Sequence, residues 1–175
     1  MKHKIIFLFT ACLLLAGVAI NSCKKDNNTS IQTLFTTGTW QLASVKVTNY
    51  LGGSTVNTFY LNDTACTKTQ FFTFPSNNTC AFTNYHCIAQ STNGTWSLSK
   101  DQLFLMVNMT CLDTLAGGKV TKPTQVFANT KIVNLGPYSM TLQTGDIGAY
   151  YTPTTKRTIF EYAFIHKTTT VTTTK

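Results

Sequence analysis

Between Gly94 and Val107 apolar and polar residues alternate with a period of two, and that alternation commits the segment to strands. Gly94-Thr95-Trp96-Ser97-Leu98 puts Trp96 and Leu98 on one face, Lys100-Asp101 marks a turn, and Leu103-Phe104-Leu105-Met106-Val107 returns. A tight turn there sets Trp96 opposite Leu105 and Leu98 opposite Leu103, giving an apolar face that belongs to a core. A helix, with its period of 3.6, would scatter these side chains around its surface. No helical period stands out anywhere after residue 23, so the fold class expected is all-β.

The rest of the chain reads the same way. Gly38-Thr39-Trp40-Gln41-Leu42 opens the first strand, but Trp40 and Leu42 differ in parity from Val45 and Val47. Either a bulge lies near Ala43-Ser44 or the strand is buried on both sides. Gly52-Gly53 signals a hairpin between Val45–Tyr50 and Thr55–Tyr60. Lys68–Phe74 and Asn78–Thr83 form the next pair. A two-residue turn at Ser76-Asn77 would set Phe74 opposite Thr79, Phe72 opposite Ala81 and Cys66 opposite Cys87. Phe71, Phe72 and Phe74 occupy both faces of that strand, so its inward face stays open. Residues 108–123 read as loop. Strands follow at Gln125–Leu135, Ser139–Leu142 and Thr158–His166, the last alternating Phe160, Tyr162 and Phe164 with Ile159, Glu161 and Ala163. About eight or nine short antiparallel strands joined by hairpins make an up-and-down barrel or a sandwich.

The start of the chain has a different character. Met1-Lys2-His3-Lys4 precedes an apolar run, Ile5 to Ile20, and then Asn21-Ser22-Cys23. A basic start, a short apolar segment and small residues at its exit describe a secretory signal, too short to span a bilayer. The Ile-Asn-Ser-Cys ending resembles a bacterial lipobox, which implies cleavage after residue 22 and lipidation of Cys23. Expected boundaries are therefore a signal peptide at 1–22, a lipidated tether at 23–33, a barrel at 34–167 and a flexible Thr/Lys tail at 168–175. Lys24 in place of Asp after the lipidated cysteine points to the outer membrane.

Export bears on the cysteines. With Cys12 in the signal and Cys23 lipidated, Cys66, Cys80, Cys87 and Cys111 remain, an even number in an oxidising compartment. The hairpin register favours Cys66–Cys87, which leaves Cys80 with Cys111. The rival connectivity joins Cys80 to Cys87 and Cys66 to Cys111. Zinc is the functional alternative, with His86 beside Cys87, but the spacing matches no common zinc motif and no metal site is expected.

Charge and side-chain chemistry narrow the function. The formal charge is +8, or +6 once residues 1–22 with Lys2 and Lys4 are removed, yet the cations are scattered singly along the chain. Nucleic-acid binders cluster them, so no nucleic-acid partner is expected. Charged residues make up only 11% while apolar ones reach 43%, too apolar for disorder. The acids and histidines form no catalytic spacing, so neither an enzyme nor a cofactor is expected. Glu161 should face solvent or a cation, and His86 and His166 read as structural.

Gly38-Thr39-Trp40-Gln41-Leu42, the strand from Cys66 to Phe74, Cys87 and Gly94-Thr95-Trp96-Ser97-Leu98-Ser99 together resemble the lipocalin-like lipoproteins of Gram-negative bacteria. Lys131-Ile132-Val133-Asn134-Leu135 and Met140-Thr141-Leu142 look like that family's closing strands. The resemblance covers roughly residues 34–145 and implies an antiparallel barrel of the lipocalin type. Gly38-Thr39-Trp40 also resembles the Gly-x-Trp that opens true lipocalin barrels. There the Trp packs under the floor against an arginine near the last strand, a role for which Arg157 is the sole candidate. True lipocalins carry that arginine late in the strand, whereas Arg157 precedes it, and the alternative is a solvated Arg157. Asp63-Thr64-Ala65 and Asp113-Thr114-Leu115 resemble the O-glycosylation acceptor of some Gram-negative bacteria, which would modify Thr64 and Thr114.

Two functions follow. In one, the barrel holds a small apolar or amphipathic ligand among Trp40, Phe72, Phe74, Trp96 and Tyr162. In the other, the barrel is filled by its own side chains and serves as a cell-surface interaction domain. An enclosed cavity would favour the first and a packed interior the second. Neither specifies an oligomeric state.

Overall fold

A computed structural model describes residues 26–61, 66–113, 123–148 and 150–167, with side chains from Ile31 onward. Among the described residues are one α-helix, α1 (Asp26–Thr36), one 3-10 turn (Tyr85–Cys87) and eleven strands. These are β1 (Thr39–Leu51), β2 (Ser54–Tyr60), β3 (Phe71–Thr73), β4 (Thr79–Thr83), β5 (Ser91–Leu98), β6 (Phe104–Asn108), β7 (Thr110–Cys111), β8 (Thr124–Gln125), β9 (Thr130–Leu135), β10 (Ser139–Gly145) and β11 (Lys156–Lys167). Nine of them make a sheet ordered β11-β10-β9-β6-β5-β4-β3-β1-β2, and β1 also pairs with β11. That pairing closes an antiparallel eight-strand barrel with β2 as one extra strand. Among the described residues no helix is long and apolar enough to cross a membrane. The expected tether is helical instead from Asp26, and the end of α1 is held by Phe35, fully buried in the barrel floor. Ile31, Leu34 and Phe35 stand at i, i+3 and i+4, a single helical turn of apolar residues that sequence reading passed over.

The parity conflict in β1 is resolved by a bulge. Pairing with β11 shifts register between Leu42 and Ser44, so Trp40, Leu42, Val45 and Val47 stand opposite His166, Phe164, Tyr162 and Phe160 on one inward face. The Gly52-Gly53 turn is also as expected, with Leu51 opposite Ser54. Gly52 has φ +57, and a Cβ there would lie 2.6 Å from the Pro153 carbonyl oxygen, so only glycine fits. Strands β2 and β3 lie one after the other along the same edge of β1, β2 against Lys46–Leu51 and β3 against Thr39–Gln41. Between them the chain leaves that edge after Leu61, whose N–H donates to Val45, and regains it at Gln70, whose carbonyl accepts from Leu42.

Two registers differ from expectation, with opposite consequences. In the β3–β4 hairpin Phe72 stands opposite Phe82 and Thr73 opposite Ala81, one residue away from the pairing expected. The cause is a three-residue loop, 76–78, in which Asn78 adopts φ +62 and donates its N–H to Pro75. The shift places Phe72, Phe74, Cys80 and Phe82 together inside, and it leaves Phe71 outside. In the β5–β6 hairpin Trp96 faces Val107 and Leu98 faces Leu105, a shift of two. Residues 100–103 form the loop, with Gln102 at φ +58 and its N–H donated to Ser99. A shift of two preserves the face, but Leu103, expected in the core, is 54% exposed at the loop's end.

Later elements also move. The expected strand Gln125–Leu135 is broken: Val126–Asn129 leaves the ladder between β8 and β9, turning Phe127 into the barrel. Short strand β7 forms within the segment expected as loop and pairs with β8 just beyond its end. Strands β10 and β11 run beyond the expected bounds, to Gly145 and back from Lys156.

Candidate binding site

The five residues expected to line a ligand cavity, Trp40, Phe72, Phe74, Trp96 and Tyr162, are indeed brought together inside the barrel, and all five are buried. Each packs against another ring: Phe72 on Phe74, Phe74 on Trp96, Trp40 on His166 and Tyr162 on Phe127. At the floor, Phe35 packs edge-on against Phe74 with centroids 5.2 Å apart and lies 5.9 Å from Trp96. Trp40 Nε1 donates to Phe35 O at 3.2 Å and Trp96 Nε1 donates to Pro75 O at 3.3 Å, so both buried indole N–H groups are satisfied. At mid-height Phe72 touches Phe74, Phe82, Phe127 and Phe164. Higher still, Phe127 stacks on Phe82 and meets Tyr85 and Tyr162 edge-on.

Sequence reading missed Phe127 and Tyr85. Phe127 is 0% exposed and sits where a lumenal ligand would lie. Its signal was out of reach, because the ring enters from a break in the strand pattern. Tyr85 belongs to a 3-10 turn at Tyr85–Cys87. Its hydroxyl lies 3.4 Å from that of Tyr162, and burial pushes both phenols above their ordinary pKa, Tyr85 strongly.

A polar cluster covers this aromatic core at the upper end. His86 Nδ1 pairs with Asp113, and the His86 ring stacks on Tyr85 at 4.2 Å. The Gln90 side chain donates to Tyr85 O and Leu112 O and accepts from Leu112 N. Asn84, His86 and Cys87 all have positive φ. A carboxylate orienting a histidine is the geometry of a general base. However, His86 Nε2 is buried with no hydrogen-bond partner among the described residues, so no described nucleophile lies against it. The pair instead holds a left-handed turn in place.

The cysteines divide into a bonded and an unbonded pair. Cys66 and Cys87 form the expected disulfide, with Cα atoms 5.6 Å apart. It ties the segment 66–70 to the 3-10 turn, where Lys68 Nζ also donates to Cys87 O and Asn84 to Thr69 O. Cys80 and Cys111 are buried free thiols, contrary to the pairing by elimination. Cys80 stands opposite Gly94 of β5, and Cys111 Sγ lies 3.1 Å from Thr92 Oγ1 of the same strand. Burial pushes the Cys80 thiol up to about 11, with Cys111 nearby adding to the effect.

The expected closure of Trp40 by Arg157 is also corrected. Arg157 opens β11 and pairs with Tyr50, at the opposite end of β1 from Trp40. Its guanidinium lies 3.7 Å from the Tyr151 ring centroid and 5.0 Å from that of Tyr50, and Nη2 donates to Gly52 O at 3.0 Å. Beneath Trp40 the partner is His166, late in the last strand, with ring centroids 4.9 Å apart and Nε2 against the Thr37 carbonyl. Glu161 faces outward to Lys46, as expected of a lone acid in an apolar strand. Cys23, Thr64 and Thr114 lie outside the described residues, as do the signal segment 1–22 and the tail 168–175. Among the described residues no cluster of metal ligands is present.

The profile of the lipocalin-like domain family matches residues 36–142, more than half of the chain, from just before Gly38-Thr39-Trp40 to the inward Leu142 of β10. No curated protein and no solved structure matches the chain significantly. The matched region supplies seven of the barrel's staves and its Trp floor, and the chain belongs to the lipocalin-like domain family.

Proposed function

We propose that this protein is a lipid-tethered, non-enzymatic interaction domain of the outer membrane, whose filled barrel acts through its outer surface. The observation that carries this reading is the packed lumen: Phe127 occupies the centre, and Phe72, Phe82, Tyr85 and Tyr162 close around it. Small barrels filled in this way are rigid scaffolds. The tether rests on Cys23 behind its basic and apolar leader. Lipid chains on one cysteine pass the threshold for stable anchoring only when more than one is attached. Two measurements test the reading. Cys23→Ala should release the protein from membranes, and its retention there would overturn the tether. Mass spectrometry of the purified protein should find no stoichiometric small molecule in the lumen, and finding one would overturn the filled barrel.

The second reading, a lumenal apolar ligand, is favoured by one feature. Phe127 enters from Val126–Asn129, outside the strands, so swinging its ring out of the barrel would vacate space without breaking a strand-ladder hydrogen bond. Its backbone carbonyl does accept from Val107 N at 3.0 Å, which ties the segment to β6.

A further inference from the structure

We propose that a groove on the outer wall of the barrel binds an amphipathic monocarboxylate, a site separate from the lumen. Alternation along the strands builds it. Leu105, Thr130, Leu142 and Tyr162 point inward, so Phe104, Lys131, Gln143 and Glu161 point out. These four are directly opposed across neighbouring strands: Phe104 to Lys131, Lys131 to Gln143, Gln143 to Glu161. Ile159 and then Arg157 continue the outer face of β11 above Glu161. Ile147, from the connection between β10 and β11, completes a half-open groove of about 470 Å³ lined by Phe104, Lys131, Gln143, Ile147, Arg157 and Ile159. A volume above roughly 300 Å³ with apolar walls and a few polar groups suits a small ligand.

The charge around the groove selects the ligand class. Two of the lining side chains are cationic and none is acidic. Neighbouring acids are committed elsewhere: Glu161 to Lys46 and to Gln143 Nε2, and Asp146 Oδ2 to the Thr158 N–H. Lys131 is exposed and makes no ion pair among the described residues. Arg157 is held by the Tyr50 and Tyr151 rings, and its Nη2 donates to Gly52 O. A carboxylate in the groove would pair with the cations that border it, and charge-assisted bonds of this kind are the strong ones. Phe104, Ile147 and Ile159 offer the remainder of the ligand an apolar bed.

The test uses 4-phenylbutanoate against the neutral 4-phenylbutanol, titrated into the full-length protein in nonionic detergent and followed by methyl NMR. The acid should shift the Ile147 and Ile159 methyls saturably, with the alcohol weaker by roughly tenfold, the equivalent of one charge-assisted contact. Lys131→Glu, on an exposed side chain, should weaken acid binding by a similar factor while the remaining methyl signals stay in place. Equal binding of acid and alcohol, or indifference to Lys131→Glu, would overturn the site. Shifts at Met140 and Leu142 instead would place the acid in the lumen and overturn the filled barrel as well. No saturable shift anywhere would remove the groove and leave the filled barrel standing.

Discussion

The inside and the outside of β6, β9, β10 and β11 are made by alternate residues of the same four strands, yet they have opposite characters. Inward go Leu105, Val107, Thr130, Met140, Leu142, Tyr162 and Phe164, all buried and almost wholly apolar. Outward go Phe104, Lys131, Gln143, Ile159 and Arg157, which leave an open groove. A barrel of eight strands has an interior just large enough to be filled by side chains, and here Phe127 finishes the filling. The outer face has no such constraint, so space for a ligand lies outside the wall. Fold alone therefore does not say where a barrel of this type binds.

The contrast breaks most severely at the core. Phe72→Ala should cost about 3–5 kcal/mol, because four neighbouring rings lose their partner and the site cannot collapse. Phe104→Ala on the outer face of β6 should cost well under half as much. Denaturant unfolding of both variants measures the difference, and equal losses would mean that the inside and outside are misassigned. Next comes the bridge. Cys66→Ser with Cys87→Ser opens a link across 21 residues and should cost about 3 kcal/mol, read as a lower Tm that reducing agent reproduces in the parent.

Alkaline titration distinguishes the two faces by another route. Folded-state pKa values of Tyr85, Tyr162 and Cys80 are raised, so above their unfolded values the unfolded chain releases protons that the folded chain keeps. Stability is then complete below about pH 9 and falls as pH rises, by about 1.4 kcal/mol per unit for each group still protonated only in the folded state. Tyr85→Phe should flatten the fall above about pH 10, the ordinary tyrosine value. An unchanged slope would show that the phenol is not buried. The smallest effect belongs to the outer face: Lys46→Ala removes the Glu161 ion pair and should cost no more than about 1 kcal/mol, less in high salt.

How much was legible depends on whether the signal was local. Alternation gave away the strands at 96–98, 104–107 and 158–166, and parity announced the bulge beside Ala43. The two hairpin loops show the limit. Both were longer than the shortest turn, but a slip of two at Leu98–Leu105 left the inward set intact, whereas a slip of one at Phe72–Phe82 changed which residues meet. The Cys66–Cys87 bridge nonetheless formed as expected, though for a different reason: both cysteines stand beyond the ladder, one in an excursion and the other in a 3-10 turn. The ligand residues Trp40, Phe72, Phe74, Trp96 and Tyr162 were legible as interior, but not as already in contact.

By itself the sequence determined an all-β chain of short hairpins with Trp40 and Trp96 turned inward, because period, turn residues and hairpin connection act between near neighbours. Only the tertiary structure decided that His166 and not Arg157 lies against Trp40, since that depends on which end of β11 meets which end of β1. It also decided that Cys80 and Cys111 stay free thiols, and that Phe127 fills the lumen while Lys131 and Arg157 border a groove outside. Each of these depends on closing the sheet, which brings together residues whose separation along the chain carries no pattern to read.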